Sequence, residues 1–162
     1  MSRHVFYSLH YDRDRARAEL VRKLAGLVPN NELKPNEWAT LRRTGDFAFK
    51  RWFEQQTRGR SCTIVLIGAE TTTREWVRYE IARSWQLGLG LLGVHIHNLL
   101  DDRGTQSSKG EDPFAEAGLG ANAALVRTYD PPEQDGKLAY RFIADNLARW
   151  VEDAVATRKA QP

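Results

Sequence analysis

The sequence predicts an α/β fold built on a doubly wound, mostly parallel sheet of about five strands with helices on both faces. Three observations carry this expectation. The run Cys62–Ile67 is unbroken apolar or β-branched, as suits a strand covered on both sides. Other segments repeat apolar residues at helical spacing, as Val77, Ile81 and Trp85 do. The two kinds of segment alternate along the chain, and successive parallel strands need such crossovers.

Each element follows in order. Residues 4–9 alternate and read as the first strand. Asp12 or Asp14 can cap the next helix, whose Ala16, Leu20, Leu24 and Leu27 fall on one face. Residues 29–38 form a loop rich in Asn and Pro, with no strong strand after it, so the second strand is expected to be weak or distorted. Residues 46–56 read as a helix burying Phe49, Trp52 and Phe53 and closed by Gly59. After the 62–67 strand, Thr72 can cap a helix with Glu75 completing a capping box. Residues 91–97 read as a strand, and 101–120 as a long polar loop of the kind that is functional or mobile. A short strand at 124–128 and turns at Pro131-Pro132 and Asp135-Gly136 precede a last helix over 140–157. Its Ile143, Leu147, Val151 and Ala154 face inward. Residues 1–158 are expected to form one domain and 159–162 a frayed tail.

Composition excludes several classes. No apolar run reaches the roughly 18 residues that suggest a membrane helix, and the N-terminus lacks the apolar core of a signal peptide. Cys62 is the only cysteine, so no intramolecular disulfide can form and a reducing cytoplasm is the expected compartment. Net charge is only +3, with arginines interleaved with acids, which reads as a solvated face and not a nucleic-acid stripe.

Several motifs fail on context. Gly88 to Gly93 spells G-x-G-x-x-G, but a helix precedes it and a strand follows, the reverse of a dinucleotide-binding turn. His95 and His97 share a strand face without an evident third ligand, so no metal is expected. Neither a phosphate-binding G-x-x-x-x-G-K-S/T nor a nucleophile-elbow G-x-S-x-G occurs.

Glu80 stands apart. It lies one turn into the helix after the central strand, at the sheet edge where ligands of doubly wound folds bind. It also shares a helix edge with Trp76, four residues earlier. By pattern alone it reads as a solvated helix glutamate. Tyr7 and Ser8 near the end of the first strand, with His10 and Tyr11 just after it, lie at the same sheet edge and are candidate nucleotide contacts.

The stretch TIVLIGAETTTREWVRYEI, with Val5–Asp12 (VFYSLHYD) and Gly90–His97 (GLLGVHIH), resembles the bacterial TIR-like family, and within it the TIR proteins of Thoeris antiphage defence systems. The resemblance covers residues 3 to about 100 and implies a flavodoxin-like (TIR-like) sheet. It implies that Glu80, the glutamate of a W-x-x-x-E element begun by Trp76, is the catalytic residue of NAD+ cleavage. Loop 30–45 takes the place of the loop that covers the nucleotide in TIR domains, with Trp38 and Arg42 or Arg43 as contacts. Phe6, Tyr7 or Trp38 could supply an aromatic wall, and Trp76 would pack against the body and fix Glu80. NAD+ is then a substrate, with no permanently bound cofactor and no metal. The implied partners are a second copy on activation, a phage-derived trigger, and a separate effector reached through an ADP-ribose-derived signal, with no nucleic acid or membrane. A non-catalytic TIR-like interaction module and another flavodoxin-like nucleotide binder remain as alternatives.

Overall fold

In the computed structural model, which describes residues 2–162, five parallel strands stand in the order β2-β1-β3-β4-β5. They are β1 (Arg3–Ser8), β2 (Leu27–Val28), β3 (Cys62–Ile67), β4 (Gly90–His95) and β5 (Arg127–Tyr129). The helices are α1 (Tyr11–Arg22), α2 (Pro35–Thr44), α3 (Asp46–Thr57), α4 (Glu75–Gln86) and α5 (Gly136–Lys159). The predicted doubly wound α/β class is the observed one. β3 is central, and its side chains alternate between two cores. Ile64 and Leu66 pack with α1 and α5, while Val65 and Ile67 pack with α4 and the segment around Phe114. Both faces are thus covered, which is why β3 reads as an unbroken apolar run. Cys62 is fully buried at its start, and burial pushes its thiol pKa far up.

The structure corrects several local expectations. The inner face of α1 carries Asp14, Arg17, Ala18 and Val21, whereas Leu20 is 36% exposed and the N-cap is His10 instead of Asp12 or Asp14. Two buried charged residues disguise that face from hydrophobic periodicity. Arg17 is satisfied by the Leu99 and Thr105 carbonyls at 2.8 and 2.7 Å. Burial raises the Asp14 carboxyl to about 6, although Arg17 and Arg13 pull the other way. Gly68 makes room for it, since a Cβ there would lie 2.2 Å from an Asp14 oxygen.

The weak second strand is β2, only two residues long, and loop 30–45 contains helix α2. Thr72 does not cap α4. Thr71–Thr73 form a 3-10 turn, the helix starts at Glu75 with Arg74 as N-cap, and no capping box forms there. The 101–120 segment is polar in composition, yet Phe114, Ala117 and Leu119 are buried against β3, β4 and α4, where a crossover helix would otherwise sit. The short strand at 124–128 is displaced to Arg127–Tyr129, since Gly120–Leu125 form a 3-10 helix. Asp135 starts α5 by accepting from the amides of Lys137 and Leu138, so Asp135-Gly136 is the helix start and not a turn before it. The helix continues to Lys159, and Arg158 donates to the Trp85 carbonyl and lies over its ring.

The G-x-G-x-x-G letters serve packing. Gly88 ends α4 with φ +82°, and a Cβ on Gly90 would lie 2.8 Å from the Val155 backbone nitrogen of α5. A Cβ on Gly93 would lie 2.7 Å from the Phe114 ring. Gly90→Ala is therefore expected to push α5 off β4 and destabilise the fold by about 1–3 kcal/mol. The measurement is a lower urea midpoint with an unchanged denaturant slope.

Candidate active site

The site begins with a missing strand partner. β2 pairs only with Arg3 and His4, so the far half of β1 has no neighbour on that side. The Tyr7 amide instead donates to the side-chain carbonyl of Asn30 at 2.9 Å. Arg22 fixes Asn30 in turn, donating to its backbone carbonyl at 2.6 Å. Where the sheet would have continued, a cleft open to solvent lies against the carboxyl end of β1. Its aromatic walls with a few polar side chains suit a small-molecule ligand.

Glu80 forms part of the cleft wall and is only 5% exposed. Its Oε1 accepts a 2.7 Å hydrogen bond from the Ser8 hydroxyl at the end of β1. Burial raises its pKa from 4.5 to about 8, and the Ser8 donor offsets only part of that shift. One hydroxyl cannot replace the hydration of a carboxylate, so desolvation wins. Aromatic rings surround it. Trp76 stacks on Phe49 at 4.1 Å between centroids, Trp38 meets Phe49 edge-on, and Tyr11 leans on Trp38 at 5.1 Å. Trp52 completes the aromatic side, while Arg15, Arg22, Arg74, Glu19, Glu32 and Asn30 add polar groups and charges of both signs.

Of the residues singled out from sequence, Tyr7, Tyr11, Trp38, Trp76 and Glu80 line this one cleft, and Ser8 reaches it through Glu80. Four do not line it. Phe6 is 1% exposed and packs edge-on against Phe53 and Trp52, because strand alternation turns it under α3. Arg43 points along α2 to Thr40, and Arg42 reaches across the surface to Asp12. His10 caps α1 behind the cleft, where burial and then Arg74 lower its pKa. Its Nδ1 faces the Arg13 amide at 3.2 Å and its Nε2 faces Arg74 Nε at 2.9 Å, and a neutral imidazole accepts at only one of the two at a time. Trp76 makes no hydrogen bond to Glu80; Ser8 holds the carboxyl, and the half-buried indole is wall.

Sequence reasoning missed Asn30, Arg22 and Arg74; it read Phe49 and Trp52 as buried, which Phe49 is, without seeing that both also wall the cleft. Helical spacing marks aromatic residues as inward-facing but does not separate core from cleft wall. Asn30 offered one signal, a polar residue in a loop beside a weak strand. Among the described residues no group of three or more His, Cys, Asp or Glu side chains could hold a metal ion, and no helix is long and apolar enough to cross a membrane.

A five-stranded parallel sheet with a buried glutamate of α4 in the wall of an aromatic cleft at the end of β1 fits a TIR-like domain of flavodoxin-like type. The chain belongs to the family described as Thoeris protein ThsB, TIR-like domain, whose sequence model matches residues 6–101. It is also 34% identical over 124 residues to ThsB1 of Bacillus cereus (strain MSX-D12), which is named as a proposed cyclic ADP-D-ribose synthase. That alignment covers 70% of this chain and 62% of the relative's length.

The raised Glu80 pKa has a stability consequence. Between 4.5 and about 8 the unfolded chain releases the Glu80 proton while the folded chain retains it, so rising pH favours unfolding across that window. Glu80→Gln removes this term. The unfolding free energy of Glu80→Gln minus that of wild type should therefore grow from 4.5 to about 8 and level off above it, as read by urea titrations at several pH values. Ser8→Ala should move the upper limit of the window higher.

Proposed function

We propose that this chain cleaves the nicotinamide–ribose bond of NAD+ with Glu80 as the catalytic carboxylate and releases an ADP-ribose-derived signal. The observation that carries this reading is the buried Glu80 carboxyl, held by Ser8 within an aromatic cleft. NAD+ carries a positive nicotinamide ring, which aromatic faces such as Trp76 and Trp38 attract. A cation placed beside Glu80 also favours its ionised form and lowers its pKa on binding.

The step needs little acid catalysis. The bond from ribose C1′ to the ring nitrogen breaks with its electron pair going to nicotinamide, which leaves neutral. The ribose is left as an oxocarbenium ion, the kind of state that carboxylates stabilise in glycoside cleavage. Glu80 lies where it can hold the ribose hydroxyls and oppose that charge. A lone pair from the ADP portion then forms the new bond to C1′ and closes a ring, and if a hydroxyl attacks, its proton passes to the carboxylate. The name of the ThsB1 relative, given for cyclic ADP-D-ribose synthesis, supports closure over hydrolysis. The cyclic product acts on a separate effector protein. Activation involves a second copy meeting the segment that carries α2, in response to a phage-derived trigger.

Nicotinamide release from NAD+ tests the reading, measured with purified protein across concentrations and with lysate from phage-infected cells. Glu80→Gln should remain folded and lose at least about 100-fold in rate. Glu75→Gln, at the exposed start of α4, should cost no more than about 1 kcal/mol of stability and spare turnover. For wild type, kcat/KM should climb with pH to a plateau above about 8, because free Glu80 must be ionised. Mass spectrometry should show a product lacking one water relative to ADP-ribose. Turnover in Glu80→Gln equal to wild type would place the chemistry elsewhere, and no release under any condition would favour an interaction module.

A further inference from the structure

We propose that the Arg74 guanidinium is the diphosphate-binding arm of the cleft, and that Asp12 is its resident counter-anion, displaced when a dinucleotide binds. The inference rests on reading the cleft as a dinucleotide site. Arg74 lines the cleft directly ahead of α4. Its Nε donates to His10 and its Nη2 to Asp12 Oδ2 at 2.8 Å. The same oxygen accepts from Arg42 Nη1, also at 2.8 Å, and Asp12 Oδ1 accepts from the Trp38 indole at 3.1 Å.

The charges do not balance within this group. One carboxylate serves two guanidiniums, and burial together with Arg74 holds His10 toward its neutral form. The group as a whole carries a surplus positive charge, and Arg74 is the member of it that lines the cleft, whose other arginines, Arg15 and Arg22, stand beside Glu19 and Glu32. The existing pairing is also weak, because Asp12, Arg42 and Arg74 all keep a third or more of their side chains exposed. A diphosphate offers two anionic groups with the geometry that arginine forks match best, so it competes well with one solvated carboxylate.

Position agrees with charge. Arg74 precedes Glu80 by six residues, roughly 9 Å along the helix axis. A ribose seated at Glu80 directs its 5′-phosphate away from the reacting carbon, and an arginine can span the remaining distance. The cluster also ties α2, through Trp38 and Arg42, to the start of α1. Displacing Asp12 thus loosens α2 as the nucleotide enters, and ligand binding is coupled to the segment that covers the site.

A purely structural clasp makes the opposite prediction for Asp12. Calorimetric titration of the full chain with ADP-ribose, which carries the diphosphate but no scissile bond, separates the two, with adenosine as the phosphate-free control. Arg74→Gln should raise the ADP-ribose Kd by about 10- to 100-fold, leave adenosine binding unchanged and flatten the salt dependence. Arg74→Lys should fall between, because it keeps the charge and loses the fork. Asp12→Asn should tighten ADP-ribose binding several-fold. Thermal melting confirms that each variant is folded. Equal ADP-ribose Kd values in wild type and Arg74→Gln overturn the arm and leave the dinucleotide reading standing. Weaker binding in Asp12→Asn overturns the counter-anion role and marks a clasp. Failure of wild type to bind either ADP-ribose or NAD+ overturns the reading of the cleft and this inference together.

Discussion

A parallel sheet cannot leave the backbone of an inner strand unpaired without cost, and β1 meets that constraint through one side chain. Strand β2 stops after two residues, so the Tyr7 amide would be a buried donor with no partner. Asn30 supplies the carbonyl that a longer β2 would have offered, and Arg22 holds Asn30 in place. Much of the site depends on this exchange. The chain is freed after Val28 to rise over the sheet edge and form α2, and the space it leaves becomes the cleft. Had β2 continued beside Tyr7, the aromatic wall would have no room to stand open.

The cleft then sets two demands on Glu80 against each other. Enclosure among rings disfavours its charge, while the proposed chemistry needs that charge at the moment a cation develops. A single hydroxyl from Ser8 orients the group without settling its protonation. The result is a carboxyl poised near neutrality, where an arriving cation can decide its state. Added donors from Arg or Lys would hold it ionised at rest and would compete with the ribose for its oxygens.

The main architecture was legible because it rests on burial, and burial leaves periodic traces. β3 announced itself by an apolar run, and α4 by Val77 and Ile81. What was illegible depends on contacts distant in sequence. The α1 face was misphased because Asp14 and Arg17 are inside, and their acceptance depends on Gly68, Leu99 and Thr105, all far along the chain. The 101–120 segment read as a long polar loop, although Phe114 fills a place that Gly93 leaves open. Within the cleft, the Trp76–Glu80 spacing and the polar end of β1 were readable, because they sit on elements whose faces were readable. Asn30 and Arg74 were not, because each acts through a tertiary hydrogen bond that spacing does not encode. Phe6 was misplaced because alternation fixes that it differs from Tyr7 in face, without saying which face carries the ligand.

Cys62 carries a consequence of a different kind. Its sulfur lies at the foot of the central strand, with no solvent contact and its thiolate strongly disfavoured. The thiolate is the nucleophile that attacks thiol reagents, so the folded molecule is inert to them. Modification must wait for β3 to separate from its neighbours, and that amounts to opening the whole sheet. The chain's one sulfhydryl is therefore a built-in clock for global unfolding, blind to movement of α2 or the cleft.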